Sequence, residues 1–229
     1  MRILIIIPAY NESANIERVI NNLKTYFSQY DYVIINDGSK DNTAEICRKN
    51  GYNFVDLPVN LGLAGAFQTG MKYAWRHGYD AAIQFDGDGQ HRPEYIASMI
   101  KEMETSGCDI VIGSRFVTEK KPFTARMLGS RLISALILLT TFRHIKDPTS
   151  GMRLYGKTVL NEYANQINYG PEPDTLAYLL NRKCKVREIQ VKIDERIAGT
   201  SYLSLLNSIR YMIKMSISIV FVQWFRKRG

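Results

Sequence analysis

The chain has 229 residues, of which 45% are hydrophobic and 23% charged, and its formal net charge is +8. This length suits one globular domain with a sizeable core, and the composition excludes a disordered or low-complexity chain. Three widely spaced cysteines without a Cys-x-x-Cys pair argue against a disulfide framework or structural zinc and are typical of a reducing cytosol.

The N-terminal segment predicts a buried first strand. Its apolar run, residues 3–7, is shorter than the apolar region of a signal peptide, and no cleavage region follows it. No apolar stretch of the sequence reaches the length that a bilayer span requires.

Strand-like and helix-like segments alternate over the first half of the chain. Apolar runs predict strands over residues 2–7, 31–37, 52–58, 80–89 and 108–115. Helical spacing of apolar residues predicts helices over residues 11–27, 39–51, 62–77 and 92–107. This alternation predicts an α/β fold with a Rossmann-like, mostly parallel sheet and helices on both of its faces.

Four polar clusters follow the predicted strands at the points where the strands end. They are residues 8–12, 36–41 and 86–90 and the pair Ser114 and Arg115. In open parallel sheets, ligands bind beyond the carboxyl ends of the strands. We therefore expect the four clusters to form one ligand site.

The sequence Asp86-Gly-Asp88-Gly-Gln90 places three oxygen ligands at one of these strand ends. Mg²⁺ and Mn²⁺ prefer one or two carboxylates together with phosphate oxygens and water, whereas an EF-hand Ca²⁺ loop requires more acidic residues. The cluster therefore predicts a divalent cation that is shared with a diphosphate. The alternative is a polar turn after a strand.

Other common nucleotide-binding and catalytic patterns are missing from the sequence. Neither the turn after the first strand nor residues 35–43 carry a dinucleotide-binding or P-loop glycine pattern. The histidines lack metal-ligand spacing, so we expect structural or surface roles for His77, His91 and His144. Three glycines are interpreted as sites of close helix packing: Gly62, Gly65 and Gly70.

The excess positive charge is confined to the last fifth of the chain. Residues 1–181 hold 19 Lys and Arg against 19 Asp and Glu, whereas residues 182–229 hold 11 against three. The apolar segments 125–145 and 202–229 have basic residues at their ends and too many charges to cross a bilayer. Such segments are typical of helices in a membrane interface, and packing on the core or on another subunit is the alternative. We expect a catalytic domain over 1–201 and a basic amphipathic tail over 202–229.

Seven motifs occur in the order found in family 2 glycosyltransferases: PAYNE, NDGSKDNT, NLGLAGA, FDGDGQH, GSR, DPTSGMRLY and RIAGTS. Over roughly residues 2–201, the chain resembles the branch that contains dolichol-phosphate mannose synthases and bacterial polyprenyl-phosphate glycosyltransferases. The resemblance implies a GT-A type fold with C-terminal amphipathic helices. It also implies an inverting hexosyltransferase that depends on Mg²⁺ or Mn²⁺.

The resemblance further implies roles for individual residues. The nucleotide of the donor would be held by Pro8, Tyr10, Glu12, Asp37, Ser39 and Asp86. The cation would be bound by Asp86, Asp88 and Gln90. Donor or acceptor phosphates would be contacted by Arg115, Arg126, Ser130, Arg131, Arg196 and Ser201. The expected catalytic residues are Asp88, Asp174 and Arg115, with Asp174 near the acceptor.

The predicted reaction moves a hexose from a nucleotide diphospho-sugar, expected to be a UDP-sugar, to a polyprenyl phosphate such as undecaprenyl phosphate, for cell-envelope glycan synthesis. A phosphate acceptor is largely a dianion at neutral pH, so it requires cations more than a strong base. The first alternative is a transferase that acts on a sugar hydroxyl of a lipid-linked glycan, with Asp174 as the base. The second is a non-catalytic module that binds a membrane or nucleic acid.

The sugar and the cellular partners are less closely specified. The segment 169–179 departs from the phenylalanine-rich, glutamate-bearing segment of mannose synthases, which weakens the case for mannose. The expected location is the cytoplasm, peripheral on the inner face of the cell membrane, with a membrane protein or a second copy of the chain as further partners. Nucleic acid is not expected, because the basic residues are interleaved with apolar helices.

Overall fold

The structure is a computed structural model that describes residues 1–87, 89–194 and 205–222, with side chains at all of these positions except 125, 126, 205–209 and 222. Within these ranges the strands are β1 (Ile3–Ala9), β2 (Asp31–Asn36), β3 (Phe54–Asp56), β4 (Ala81–Gln84), β5 (Ile110–Ser114), β6 (Arg153–Gly156) and β7 (Val186–Gln190). The helices are α1 (Ile16–Phe27), α2 (Thr43–Lys49), α3 (Gly62–Arg76), α4 (Tyr95–Ser106), α5 (Ala125–Thr141), α6 (Lys157–Asn165), α7 (Pro173–Asn181) and α8 (Leu205–Ile217). A π-helical turn, Ser218–Val222, continues α8.

The strands form one mixed sheet in the order β3-β2-β1-β4-β6-β5-β7. The neighbours of β1 and of β2 run parallel, and β7 runs parallel to β5. β6 is antiparallel and lies between β4 and β5. The predicted α/β fold with a mostly parallel sheet is therefore confirmed, and the antiparallel insertion adds to it.

The sequence of β1 explains why it lies in the interior of the sheet. Leu4 and Ile6 pack into one core, whereas Ile3, Ile5 and Ile7 pack into the core on the other face. A strand that is buried on both faces must be apolar at every position, and β1 meets this condition. Helices cover both sides: α1, α2 and α4 on one, and α3, α5, α6, α7 and α8 on the other.

Small residues allow the closest approaches between elements. A Cβ on Gly70 would lie 2.3 Å from Cγ2 of Ile6, so α3 contacts β1 at a position that admits only glycine without movement. The predicted close packing is thus found at Gly70. α8 approaches α5 in a similar manner, because a Cβ on Gly129 would lie 2.8 Å from Cγ of Met212.

The described part of the predicted tail packs against the rest of the chain. α8 lies against α5 and α7, and the π-helical turn contacts the same two helices. None of the helices in the described ranges is long and apolar enough to cross a membrane.

Candidate functional site

The carboxyl ends of β1, β2 and β4 enclose a cavity of about 460 Å³. It brings together five of the six predicted donor-binding residues: Pro8, Tyr10, Glu12, Asp37 and Asp86. The polar clusters that follow these three strands therefore meet at one edge of the sheet, as the parallel arrangement predicts.

Asp37 connects the end of β2 to the loop that follows β3. Its carboxylate accepts a hydrogen bond of 2.7 Å from the main-chain N–H of Leu61, and its carbonyl accepts one of 3.2 Å from Nδ2 of Asn60. The next residue, Gly38, has a φ of +63°, and a Cβ there would lie 2.6 Å from the carbonyl carbon of Val59. Only glycine allows the two loops to come this close.

The lining of the cavity includes four residues for which the sequence predicts no binding role. They come from the loop after β3 and the first turns of α3: Asn60, Gly62, Leu63 and Ala66. Gly62 was expected to serve helix packing. It has a φ of +74° at the start of α3 and lines the cavity instead. The motif NLGLAGA indicates that this segment is special. The sequence alone does not show which of its glycines forms a turn and which packs against a neighbouring element.

Ser39, the sixth predicted donor residue, connects two loops beside the cavity. Its hydroxyl accepts a hydrogen bond of 2.9 Å from the N–H of Asn11 and donates one of 2.5 Å to Oδ1 of Asn36. Asp41 supports the same loop by accepting a hydrogen bond of 3.0 Å from the N–H of Ser13. Burial acts to raise the pKa of Asp41, but hydrogen bonds from Thr43 and Ser13 outweigh it, so the pKa lies below its ordinary value.

The carboxylate of Asp86 is approached by a donor at each of its oxygens. Nε2 of Gln84 donates a hydrogen bond of 3.2 Å to Oδ1, and Nε2 of His91 lies 3.4 Å from Oδ2. Nδ1 of His91 accepts a hydrogen bond of 3.0 Å from the main-chain N–H of Asp86. His91, for which a structural or surface role is predicted, is buried and contacts a predicted ligand residue.

The carboxylate of Asp86 would supply part of the ligand set of a hard divalent cation. Asp88 lies outside the described residues, and Nε2 of Gln90 donates a hydrogen bond of 3.2 Å to the carbonyl of Asp194. In the part of the chain that the structure describes, no three His, Cys, Asp or Glu side chains converge to hold an ion. Mg²⁺ and Mn²⁺ sites take one or two carboxylates and complete their shell with phosphate and water.

A second cavity of about 540 Å³ lies between α5 and the segment that follows β5. Its lining combines cationic and apolar side chains with one acidic residue, Glu119; among the others are Lys120, Lys121, Arg131 and Lys146 with Phe116, Phe123 and Leu138. The predicted residue Ser130 is buried beside it and accepts a hydrogen bond of 3.0 Å from Nζ of Lys121. Burial lowers the pKa of Lys121.

Arg131 and Arg115, both predicted to contact phosphates, are oriented by the protein itself. Arg131 donates a hydrogen bond of 2.5 Å to the carbonyl of Lys121, and its guanidinium lies 4.5 Å from the ring centre of Phe123. Nε of Arg115 donates a hydrogen bond of 2.8 Å to Oδ2 of Asp147, and Nη2 donates one of 2.8 Å to Oδ1. Sequence reasoning missed Asp147, although it belongs to the quoted motif DPTSGMRLY.

Asp174 lies in the first turn of α7 and is 7% exposed. Its carboxylate accepts hydrogen bonds of 2.8 Å from the N–H of Thr175 and of 2.6 Å from the hydroxyl of Ser218. Glu172, just before α7, accepts a hydrogen bond from the Tyr211 hydroxyl. Both acidic side chains are thus hydrogen-bonded to α8 or its π-helical continuation.

The remaining predicted residues are only partly covered by the structure. Arg196 and Ser201 lie outside the described residues. The main chain of Arg126 belongs to α5, and its side chain is not described.

Comparison with known proteins gives matches over most of the chain. The sequence model of glycosyl transferase family 2 matches residues 4–164. A UDP-N-acetylglucosamine–dolichyl-phosphate N-acetylglucosaminyltransferase of Methanococcus voltae is 33% identical over 215 residues, which cover 83% of this chain and 84% of that protein. A polyprenol monophosphomannose synthase of Mycolicibacterium smegmatis is 26% identical over 228 residues, which cover 94% of this chain and 86% of that protein.

Among solved structures, glucosyl-3-phosphoglycerate synthase from Mycobacterium tuberculosis, in complex with Mn²⁺ and UDP-glucose, has a similar fold. The two structures superpose with a TM-score of 0.69 at 18% sequence identity, over 95% of this chain and 78% of that one. This similarity supports the GT-A type fold.

Proposed function

We propose, because this chain belongs to glycosyl transferase family 2, that it transfers a hexose from a UDP-sugar to a polyprenyl phosphate. The observation that carries the proposal is the 460 Å³ cavity, where Tyr10, Asp37 and Asp86 surround a space of the size that small ligands occupy. The names of the relatives support both substrates, since the Methanococcus voltae enzyme is named for a UDP-sugar and a dolichyl phosphate.

Asp86, Asp88 and Gln90 would hold Mg²⁺ or Mn²⁺ at the donor. When bound, the cation supplies positive charge that stabilises the departing nucleotide diphosphate. The part played by this chain is to fix Asp86 at the cavity, with Gln84 and His91 next to its two carboxylate oxygens. The structurally similar synthase was solved with Mn²⁺ and UDP-glucose, which supports a divalent cation at the donor.

The second cavity is the proposed anion-binding end of the acceptor site. The side-chain nitrogens of three of its cations, Lys121, Arg131 and Lys146, have no described carboxylate within 4 Å, and Glu119 is the acidic residue of the lining. A phosphate would offset the burial of Lys121, which disfavours its charged form, and the aromatic side chains Phe116 and Phe123 would contact an apolar chain.

A phosphate acceptor requires little help from a base. Its second pKa is near 6, so the attacking oxygen already carries charge at neutral pH. Asp174, the proposed base for a sugar acceptor, is mostly buried and accepts hydrogen bonds from Thr175 and Ser218. These two hydrogen bonds occupy lone pairs of the carboxylate that a general base would need free, which favours a phosphate acceptor over a sugar hydroxyl.

The outer surfaces of α5 and α8 form an apolar platform that suits a peripheral position on the cytoplasmic face of the membrane. In the described part of the chain, ten of 15 exposed large apolar side chains lie in residues 123–142 and 213–221. The segments 120–146 and 205–222 contain eight Lys and Arg and no Asp or Glu. Apolar surface with a basic rim is the chemistry that binds an anionic lipid interface.

A donor and acceptor screen tests the proposed function. The purified chain is incubated with radiolabelled UDP-glucose, UDP-N-acetylglucosamine or GDP-mannose, with undecaprenyl or dolichyl phosphate, and with Mn²⁺, Mg²⁺ or EDTA. We expect transfer of label from a UDP-sugar to the lipid phosphate in the presence of a cation. Transfer only to a glycan hydroxyl, or no cation-dependent transfer from any donor, would contradict the proposal.

Two variants separate a phosphate acceptor from a hydroxyl acceptor. Arg126→Ala should reduce transfer at least a hundredfold if its guanidinium holds the phosphate, whereas Asp174→Asn should retain most of the activity. Arg76→Ala, an exposed arginine at the far end of α3, is the control and should be unaffected. The opposite pattern, with Asp174→Asn inactive and Arg126→Ala active, would favour the hydroxyl acceptor.

A further inference from the structure

The ring of His91 contacts two different parts of the same residue, Asp86. Nδ1 lies 3.0 Å from the main-chain nitrogen of Asp86, and Nε2 lies 3.4 Å from its Oδ2. The imidazole is 5% exposed and packs edge-on against Phe85, with ring centres 5.5 Å apart. The Cε1 edge of the ring thus bridges the backbone and the carboxylate of Asp86.

This geometry determines which ring nitrogen carries the proton. A main-chain N–H can only donate, so Nδ1 must present its lone pair to Asp86. In a neutral imidazole the proton then lies on Nε2, which faces the carboxylate oxygen. The distance of 3.4 Å is longer than an ideal N–H···O hydrogen bond, so the two groups are in contact without a well-formed hydrogen bond.

The surrounding chain keeps the imidazole in place. His91 forms an isolated antiparallel β-bridge with Ile193. On either side of it, the N–H of Asp194 donates a hydrogen bond of 3.0 Å to the carbonyl of Gln90, and Nε of Arg92 donates one of 2.7 Å to the Asp194 carboxylate. Gly151 closes the other side, where a Cβ would lie 3.1 Å from Oδ2 of Asp86.

We infer that His91 is a positioning residue, which orients the Asp86 carboxylate toward the nucleotide diphosphate and its cation. The inference rests on the proposed donor site. Gln84 holds the other carboxylate oxygen, so the two side chains together fix the rotation of the carboxylate. The function of His91 is then neither proton transfer nor metal ligation, but control of the direction in which Asp86 presents its lone pairs.

The tautomer of His91 can be measured directly by NMR of the protein labelled with ¹⁵N-histidine at about pH 8, where ordinary imidazoles are neutral. We expect His91 to carry its proton on Nε2. His77 is an internal control with the opposite tautomer, because its Nδ1 lies 2.8 Å from the carbonyl of Tyr73 and must donate. His77→Gln and His144→Gln assign the three signals. A proton on Nδ1 of His91, or a mixture of tautomers, would overturn the inference.

Binding of UDP to two variants tests the functional consequence. His91→Phe keeps a ring against Phe85 and removes both nitrogens, whereas His91→Gln keeps a donor and an acceptor. By calorimetry we expect His91→Phe to weaken UDP binding about tenfold in Mn²⁺ and less in EDTA, and His91→Gln to restore part of the loss.

Unchanged UDP affinity of a folded His91→Phe in Mn²⁺ would refute the positioning role. If His91→Phe does not fold, the tautomer of His91 in the unmodified protein becomes the test of the inference. Failure of the unmodified chain to bind UDP would instead contradict the proposed function, and the NMR measurement would still show whether His91 holds Asp86.

Discussion

The carboxylate of Asp147 is fully buried and accepts hydrogen bonds from the main-chain N–H and the guanidinium of Arg115. Burial acts to raise the pKa of Asp147, but these hydrogen bonds and the charge of Arg115 outweigh it and hold the pKa below the usual range. A carboxyl group whose folded-state pKa is depressed stabilises the fold above its unfolded pKa of about 4. That contribution is lost as the pH falls through the depressed folded-state value.

Asp147→Asn should therefore lower the free energy of unfolding at pH 7 by about 3 kcal/mol, because Arg115 loses its charged partner in a largely buried position. The unfolding free energy of the variant should also fall less steeply below pH 4 than that of the unmodified chain. Denaturant titrations at several pH values measure both effects. Glu94→Gln, which removes an exposed partner of Arg92, is the control and should change little. Parallel pH profiles for the Asp147→Asn variant and the unmodified chain would contradict the argument.

At the level of single residues, the sequence predicts groups whose position follows from a strand end. Asp37 and Asp86 follow β2 and β4, and both line the cavity. The role of Asp147 was not predictable, because its partner lies 32 residues away and the pairing depends on the path of α5 between them. For His91 the sequence leaves a structural or a surface role open, and the identity of the group that it contacts depends on the rotation of its ring.

At the level of elements, α8 is connected to α7 through two acidic side chains. The Tyr211 hydroxyl donates to Glu172, and the Ser218 hydroxyl donates to Asp174 over 2.6 Å. Burial and the neighbouring Glu172 raise the pKa of Tyr211, so its hydroxyl remains a donor throughout the physiological range. The position of α8 therefore affects the hydrogen bonding of the two carboxylates at the start of α7.

Ser218→Ala should lower the free energy of unfolding by about 2 kcal/mol, since it removes a donor from a buried carboxylate. Ser216→Ala is a matched control, because the Ser216 hydroxyl bonds to the Met212 carbonyl within the same helix and its loss should cost little. Thermal and denaturant unfolding of the two variants provide the measurement. Equal stability of the two would mean that the Asp174 contact contributes nothing.

The elements that could be predicted are those whose own apolar spacing is sufficient to define them. The predicted helices 62–77 and 92–107 correspond closely to α3 and α4. β6 has four residues and no distinctive pattern, because its burial comes from β4 and β5 on either side. Such a strand is defined by its neighbours in space, and a local sequence pattern cannot reveal it.

At the level of the whole molecule, the apolar platform and the core around α1 lie on opposite faces of the sheet. α5 and α8 contribute to the core with Leu4 and Ile6, whereas α1 contributes to the core with Ile3 and Ile5. If the apolar platform rests on lipid, as proposed, the face that carries α1 would remain in water. Because the two surfaces lie on opposite faces, an exposed apolar side chain on the α1 face can serve as a control for those on the apolar platform.

Liposome flotation tests the orientation of the molecule on lipid. The double variant Leu139→Gln and Phe142→Asn removes two side chains that are 71% and 87% exposed, and Asn suits the left-handed φ of 55° at position 142. We expect the unmodified chain to float with vesicles that contain anionic lipid, less so at high salt, and the double variant to bind at least several-fold more weakly.

Tyr26→Gln is the control for the flotation experiment, since Tyr26 is 65% exposed on α1 and should not contact the vesicle. Equal flotation of the double variant and the unmodified chain would show that the platform does not face lipid. Sedimentation without vesicles then distinguishes a second copy of the chain as its occupant.

The position of β6 in the sheet has a consequence for synthesis on the ribosome. β4 and β5 are consecutive in sequence but not adjacent in space, because β6 separates them. A nascent chain that has completed β5 still has an open β4 edge, formed by Ala81–Gln84, which are all buried in the finished protein. This edge can pair with other chains until residues 153–156 emerge and occupy it. The pace of translation through residues 115–156 therefore sets how long the half-formed sheet is open to aggregation.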